Sequence, residues 1–247
     1  MNTLIKLEVA RTLRNKKFMF FSVLYPAALY LLIAGGASET ELVKGTHLTL
    51  PLLMMVSMAS FGAITAVLVG QSERIAKERE KGWVRQLRLT ALPGRGYVTA
   101  KVASAAVVSL PSIVVVFVVA AAVKHVRFDA AWQWVALTFA IWAGSIVFAA
   151  LGVAIGYLAT GDAVRPITMI IYFGLSALGG LWFPTASFPS WVQKIIEWVP
   201  THAYAALGQA IEQGNAPHLK DVSILVGYLV IFAGAAAWLY RRDTQKA

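Results

Sequence analysis

Six runs of about 20 or more mostly apolar residues punctuate this chain, at 18–37, 49–70, 98–123, 132–158, 164–183 and 221–240, and such a run is the length a helix needs to cross a bilayer. None holds Asp, Glu, Lys, Arg or His at its centre. The chain of 247 residues is 58% hydrophobic and 14% charged, with a mean hydropathy of +0.67, whereas a soluble domain carries about 25% charged residues. A water-soluble fold of this size could not hide so much apolar surface in one core. Strands of a membrane barrel would alternate in polarity, and these runs do not. The expected fold is therefore an all-α membrane protein, a single transmembrane domain over 1–247 with six transmembrane helices.

Loop charge orients the helices, because Lys and Arg collect on the cytoplasmic side. With six spans, Lys6, Arg11, Arg14, Lys16, Lys17, Arg74, Lys77, Arg79, Lys81, Arg85, Arg88, Arg95, Lys101, Arg165, Arg241, Arg242 and Lys246 share one side. Of the 22 basic residues, only Lys44, Lys124, Arg127, Lys194 and Lys220 lie on the other. Both termini and residues 72–97 are expected in the cytoplasm, and 38–47 and 184–219 outside. The net charge of +10 is scattered between apolar runs and not gathered on one face, which argues against nucleic acid as a partner. Cysteine is absent, excluding a disulfide framework or thiolate metal site. From the polar, basic start and the lack of a small-residue cleavage site after it, no cleavable signal peptide is expected.

Ahead of the first run, Ile5, Val9 and Leu13 recur every fourth residue. Residues 1–17 read either as an interfacial helix on the inner leaflet, near anionic lipid headgroups, or as a plain positive flank. The segment after the second run carries Glu73, Arg74, Lys77, Glu78, Arg79, Glu80 and Lys81, then Gly82. Opposite charges three and four apart, Glu73 with Lys77 and Arg74 with Glu78, support a short helix in water. Gly82 breaks it, and Trp83, Val84, Leu87 and Leu89 return the chain to the interface. A charged helix protruding from the bundle suits docking on a soluble partner. The plainer reading is a solvated topological loop.

The stretch Glu78-Arg79-Glu80-Lys81-Gly82, followed by Gln86-Leu87, Thr90, Leu92-Pro93, Tyr97 and Lys101, resembles the signature of the permease subunits of type-2 ATP-binding-cassette (ABC) exporters. A second stretch, 179–211, resembles the same family in its glycines, its aromatic-proline and proline-tryptophan pairs and its Pro200-Thr201 step. The resemblance implies that 72–97 is a cytoplasmic coupling segment seated in a cytosolic ABC ATPase subunit, through Arg74, Lys77, Glu78, Arg79, Glu80, Lys81, Gly82 and Arg85. It implies a re-entrant helical hairpin over 184–219, in which Pro184, Pro189 and Pro200 delimit segments too short to span and Trp182, Trp191 and Trp198 suit the interfacial belt. It also implies a second permease copy, as homodimer or close heterodimer with its seam near the first, second and fifth spans. Glu78 and Glu80 are expected at the surface facing the ATPase, so that reversing both to Lys would leave the fold intact. A phosphate-binding Gly-x-x-x-x-Gly-Lys-Ser/Thr loop does not occur in the chain. It is expected to bind no cofactor and to have no catalytic site, with ATP and Mg on the partner ATPase.

Along the second run, Met54, Ser57, Met58, Phe61 and Thr65 share one helical face; along the fifth, Thr168, Tyr172, Ser176 and Gly179 do. Both stripes mix mild polarity with soft or aromatic surface, which suits a substrate path for a hydrophobic or amphipathic drug, antibiotic, lipid or peptide. Small and hydroxyl residues also simply pack membrane helices together. Gly174-Leu175-Ser176-Ala177 with His202 is too weak for an intramembrane protease, and His and carboxylate spacing excludes a zinc site. The uncharged span centres argue against an ion-coupled transporter. The expected function is that of a permease subunit of an exporter in the cell (inner) membrane of a bacterium; the alternative is a non-transporting membrane assembly or resistance factor.

Overall fold

The computed structural model of the chain describes residues 2–38, 42, 43, 48–82, 94–128, 130–182, 185 and 188–245. Among them the chain forms α1 (Asn2–Leu13), α2 (Lys16–Ala34), α3 (Leu50–Glu80), α4 (Gly94–Val123), α5 (Trp132–Leu158), α6 (Gly161–Leu178), α7 (Ser190–Ile196), α8 (Pro200–Glu212) and α9 (Leu219–Gln245). Helix is the structure that apolar chain adopts in lipid, because every backbone N–H and C=O is then satisfied within its own segment.

Helices α2, α3, α4, α5 and α9 are long and apolar enough to cross a membrane. The fifth expected run corresponds to α6, whose 18 residues carry Asp162, Arg165 and Pro166 in the first two turns. It falls short of the other five in apolar length, and Gly180, with φ of 77°, turns the chain beyond it.

Helix α3 is the axis of the bundle: 83% of its apolar window is buried, and α2, α4, α5, α6 and α8 all pack on it. Pro51 sits in its first turn, where a missing N–H costs nothing. Two π-helical turns, Phe20–Leu24 in α2 and Thr65–Val69 in α3, pack against each other. Helix α5 lies close on α3 because Gly152 and Gly156 have no side chain. A Cβ on Gly152 would stand 2.8 Å from the Leu68 carbonyl oxygen, and one on Gly156 would stand 2.8 Å from Ile75. This is the small-xxx-small spacing by which membrane helices approach backbone to backbone. Helix α9 lies at the periphery, with only 17% of its apolar window buried.

The charged segment after the second run differs from the expected separate loop helix. It continues α3 without a break to Glu80, so membrane span and charged arm are one rod. Gly82 ends it with φ of 67°, a left-handed conformation that glycine adopts at no steric cost, and its N–H donates to the Arg79 carbonyl at 3.0 Å. Helix α1 also differs from the expected apolar stripe. Its inward residues are Ile5, Glu8, Val9 and Thr12, while Leu7 and Leu13 are exposed.

Candidate functional site: the charged end of the central helix

The arm Gly70–Glu80 of α3 reaches six neighbouring helices with its polar side chains. Toward α4, Glu78 accepts from Lys101 Nζ at 2.7 Å and from the Tyr97 hydroxyl at 2.7 Å. Lys101 also donates to Glu8 of α1 at 2.8 Å, and Arg11 stands 3.9 Å from Glu78. Lys101 is 1% exposed and the two glutamates 6% each, so two carboxylates share one ammonium out of water. Such a group is held only by charge and hydrogen bonds together, and removing one member strands the rest. Gln71 adds a hydrogen bond to the Lys101 carbonyl at 3.2 Å. Toward α1, Arg74 donates to Thr12 Oγ1, whose own hydroxyl donates to the Glu8 carbonyl at 2.7 Å. The Arg74 guanidinium also lies 5.1 Å over the Phe18 ring of α2.

Toward α5, Arg79 donates to the carbonyls of Gly156 (3.0 Å) and Ala159 (3.3 Å), the unpaired end of that helix. The same guanidinium binds Asp243 of α9 at 2.5 Å and lies 5.3 Å over Tyr157. Toward α6, Ser72 accepts from Thr168 Oγ1 at 3.0 Å, and Glu73 is 3.6 Å from Arg165 and 3.7 Å from Lys77. The Glu80 carboxylate lies over Gly161, in the space a Cβ would fill. There, at the start of α6, the helix dipole favours an anion.

This corrects the expectation that Glu78 faces a partner: it is buried inside the bundle. Arg79 is likewise turned inward, and the expected Arg74–Glu78 pairing gives way to Arg74–Thr12 and Glu78–Lys101. The reason is that α3 stays helical past the membrane, so its polar residues meet the ends of neighbouring helices instead of water. Lys77, Glu80 and Lys81 are the residues of the run left exposed at its tip. Arg85, with Trp83 through Pro93, lies outside the described residues, as does Pro184.

The two expected path stripes meet at one level, where Phe61 and Thr65 of α3 touch Tyr172 of α6. Tyr172 shares a hydrogen bond with Thr65 Oγ1, and its ring is 4.9 Å from that of Phe61. Thr201 donates to the Leu175 carbonyl at 2.5 Å and fills the space beside Gly179. Met54, Ser57, Met58, Phe61, Thr168, Tyr172 and Ser176 are all buried within the single chain and Thr65 partly so. Phe61 and Thr65 thus close on Tyr172, while Met54, Ser57 and Met58 are enclosed elsewhere in the bundle. The apolar length of α3, expected near a dimer seam, is enclosed by its own chain. Large apolar side chains are exposed on several helices, among them Phe20, Phe21, Leu24 and Leu32 on α2, Ile167, Ile170 and Phe173 on α6, and Val226, Val230 and Ile231 on α9. Trp191 and Trp198 are exposed as an interfacial belt requires. Trp182 instead packs on Phe61 (5.5 Å) and Phe173 (5.4 Å).

Reading the sequence missed Glu8 and the packing role of Gly152 and Gly156. The signal for the glycines was present in their four-residue spacing. Glu8 carried one in being an acid in an otherwise basic amphipathic segment. No group of three or more His, Cys, Asp or Glu residues that could hold a metal occurs among the described residues.

Comparison with known proteins agrees with this architecture. Residues 37–239 match the family model described as ABC-2 family transporter protein. Over 249 aligned positions the chain is 28% identical to YvfS of Bacillus subtilis (strain 168), named as a transport permease, covering 98% of this chain and 99% of that protein.

Proposed function

The chain belongs to the ABC-2 family of transporter proteins, and on that premise we propose that it is the six-span permease subunit of an exporter driven by a separate cytosolic ABC ATPase. A transmembrane transport permease of this family works with an ATPase that supplies the energy. The finer reading concerns how that energy enters. The observation that carries it is the division of the charged run. Lys77, Glu80 and Lys81 are exposed at the tip of α3, while Glu78, Arg79, Arg74 and Glu73 tie the rod to α1, α4, α5, α6 and α9.

A force applied at the tip is then shared by the bundle, because the rod has no flexible joint before Gly82. The exposed residues offer mixed charge to the ATPase, where complementarity sets register. Two permease copies meet through the exposed apolar faces of α2 and α6. Movement of the rods parts the seam between α3 and α6, uncovering Met54, Ser57, Met58, Phe61 and Thr65 opposite Thr168, Tyr172, Ser176 and Gly179. This surface is uncharged, so the substrate class is a hydrophobic or amphipathic drug, antibiotic, lipid or peptide. Both termini are cytoplasmic in the bacterial inner membrane, and ATP with Mg stays on the partner.

The test is purification of the chain with its ATPase from a native host, followed by ATPase measurement in proteoliposomes. Lys77→Glu combined with Lys81→Glu is expected to abolish co-purification while leaving the permease folded. Unchanged partner binding in that variant would overturn the docking role. Absence of any ATPase would favour the assembly-factor reading.

A further inference from the structure

Glu212 is the last residue of α8, at the opposite end of α5 from Arg79. It is 6% exposed, and neither carboxyl oxygen meets a hydrogen-bond donor. Its position is unfavourable to charge twice over. A helix C-terminus carries partial negative charge, and an ionised carboxylate taken out of water without a partner is strongly disfavoured.

The neighbouring elements do not relieve it. From α5, Gln133 reaches the same turn, but its amide donates to the Ile211 carbonyl at 3.1 Å and its oxygen accepts from Ala130 N–H at 3.2 Å. Helix α9 begins with Leu219, Lys220 and Asp221. Lys220 is held by Glu197 at 2.8 Å and lies 5.5 Å over Trp198, and Asp221 is another acid, 9% exposed. Helix α3 has no ionisable residue between Leu50 and Gly70, and the charges of α6, Asp162 and Arg165, are at its far end from α8. The other ionisable groups of α8 stand back along the helix, His202 by nearly three turns and Tyr204 by more than two, with its hydroxyl donating to the Ile141 carbonyl at 2.7 Å. Burial alone pushes the Glu212 carboxyl well above the usual carboxylate range.

We infer that Glu212 is a proton-binding site that governs the seating of the outer hairpin. As the neutral acid it stays inside the bundle, and α8 remains packed on α5. When the proton leaves to the outside solution, the carboxylate must reach water or a cation. The last turn of α8 and residues 213–218, most of them already exposed, move out with it. The outer end of the bundle is thus closed in acid and loosened in base.

The chain has no cysteine of its own, so one introduced thiol reports cleanly. Ala210→Cys places it on the buried side of α8, and Asn215→Cys places a reference on the exposed loop. Both are labelled with a soluble maleimide in permeabilised proteoliposomes of the full chain. Taking their ratio removes the reagent's own pH dependence. Between about pH 6 and about pH 9 the ratio is expected to rise, towards about tenfold per pH unit while the site is mostly protonated, the slope of a single proton. In a Glu212→Gln background it should stay low and flat. A flat ratio in the native background, or an equal rise in the Gln variant, overturns the inference. Hydrogen exchange on the unmodified chain decides the case should the Gln variant fail to fold. After correction for intrinsic rates, protection at 207–212 must fall with pH while that of 144–156 does not, and parallel behaviour overturns the inference.

Discussion

Lys101 Nζ lies 2.7 Å from Glu78 Oε1 and 2.8 Å from Glu8 Oε1, so one buried ammonium joins the central rod to both the N-terminal helix and the base of α4. Glu78 stands in a run of surface-looking charges, yet its partner is 23 residues on, in the next helix. That relationship makes Glu78 and Glu80 unequal. Glu78→Lys sets a second cation against Lys101 and is expected to destabilise the fold by about 3–5 kcal/mol, as does Lys101→Met, because each strands buried charge. Glu80→Lys, at an exposed position, should change stability by less than about 1 kcal/mol. Thermal unfolding in detergent, followed by tryptophan fluorescence, separates them. Equal stability of the Glu78 and Glu80 variants would sink the distinction.

Arg79 should behave as a tie between helices. Arg79→Ala removes two hydrogen bonds to the end of α5 and the ion pair to Asp243, for an expected loss of about 1.5–3 kcal/mol. Asp243→Ala alone should cost about 1 kcal/mol or less, since both side chains are partly exposed. A double-mutant cycle should show the two effects to be non-additive; full additivity would mean that the pair is not formed in the bilayer.

Gly152→Val and Gly156→Val should push α5 away from α3. The new side chain meets backbone or a packed Ile75, neither of which can yield, and overpacking of this kind costs about 1–3 kcal/mol. Gly174→Ala is the control, because its Cβ would meet nothing within 4 Å. The readouts are the yield of inserted protein and its unfolding temperature. Tolerance of valine at 152 would show that the helices pack less closely than described.

The start of α8 should respond to acid through His202. Burial holds its imidazole below the ordinary value of 6.5, opposed by Asp221 and Glu197. A depressed folded value means that the contribution to stability is full above 6.5 and is lost as pH falls through the folded value. Acidification should therefore lower the unfolding temperature, and His202→Gln should flatten that part of the profile. An unchanged profile in the variant would assign the acid sensitivity elsewhere.

Copies of the chain should cross-link through the outer face of α6. Ile170 is 74% exposed, whereas Ser57 and Tyr172 are 4% and 3%. Ile170→Cys is expected to give disulfide-linked dimers in membranes, and Ser57→Cys is not. The reverse result would place the seam inside what is described here as one closed bundle.

The apolar runs determined by themselves that this chain is helical and lies in a membrane, because lipid leaves an apolar backbone no other way to satisfy its N–H and C=O groups. The turn at Gly82 was legible for an equally local reason, a glycine directly after a helical charge pattern. The four-residue spacing of Thr168, Tyr172 and Ser176 likewise marked one face of α6. What that face meets was not legible, because hydroxyl and aromatic residues serve a path and a packed seam equally well. Only the tertiary structure brought Thr65 and Phe61 to Tyr172. The same holds for the charged run. Sequence spacing reports neighbours three and four apart, and on that basis Arg74 pairs with Glu78. The fold instead sets Glu78 beside Lys101 and Glu8, and Arg79 beside Asp243, 164 residues away. Those choices depend on which helix ends converge around α3, and long-range convergence leaves no periodic mark in the chain.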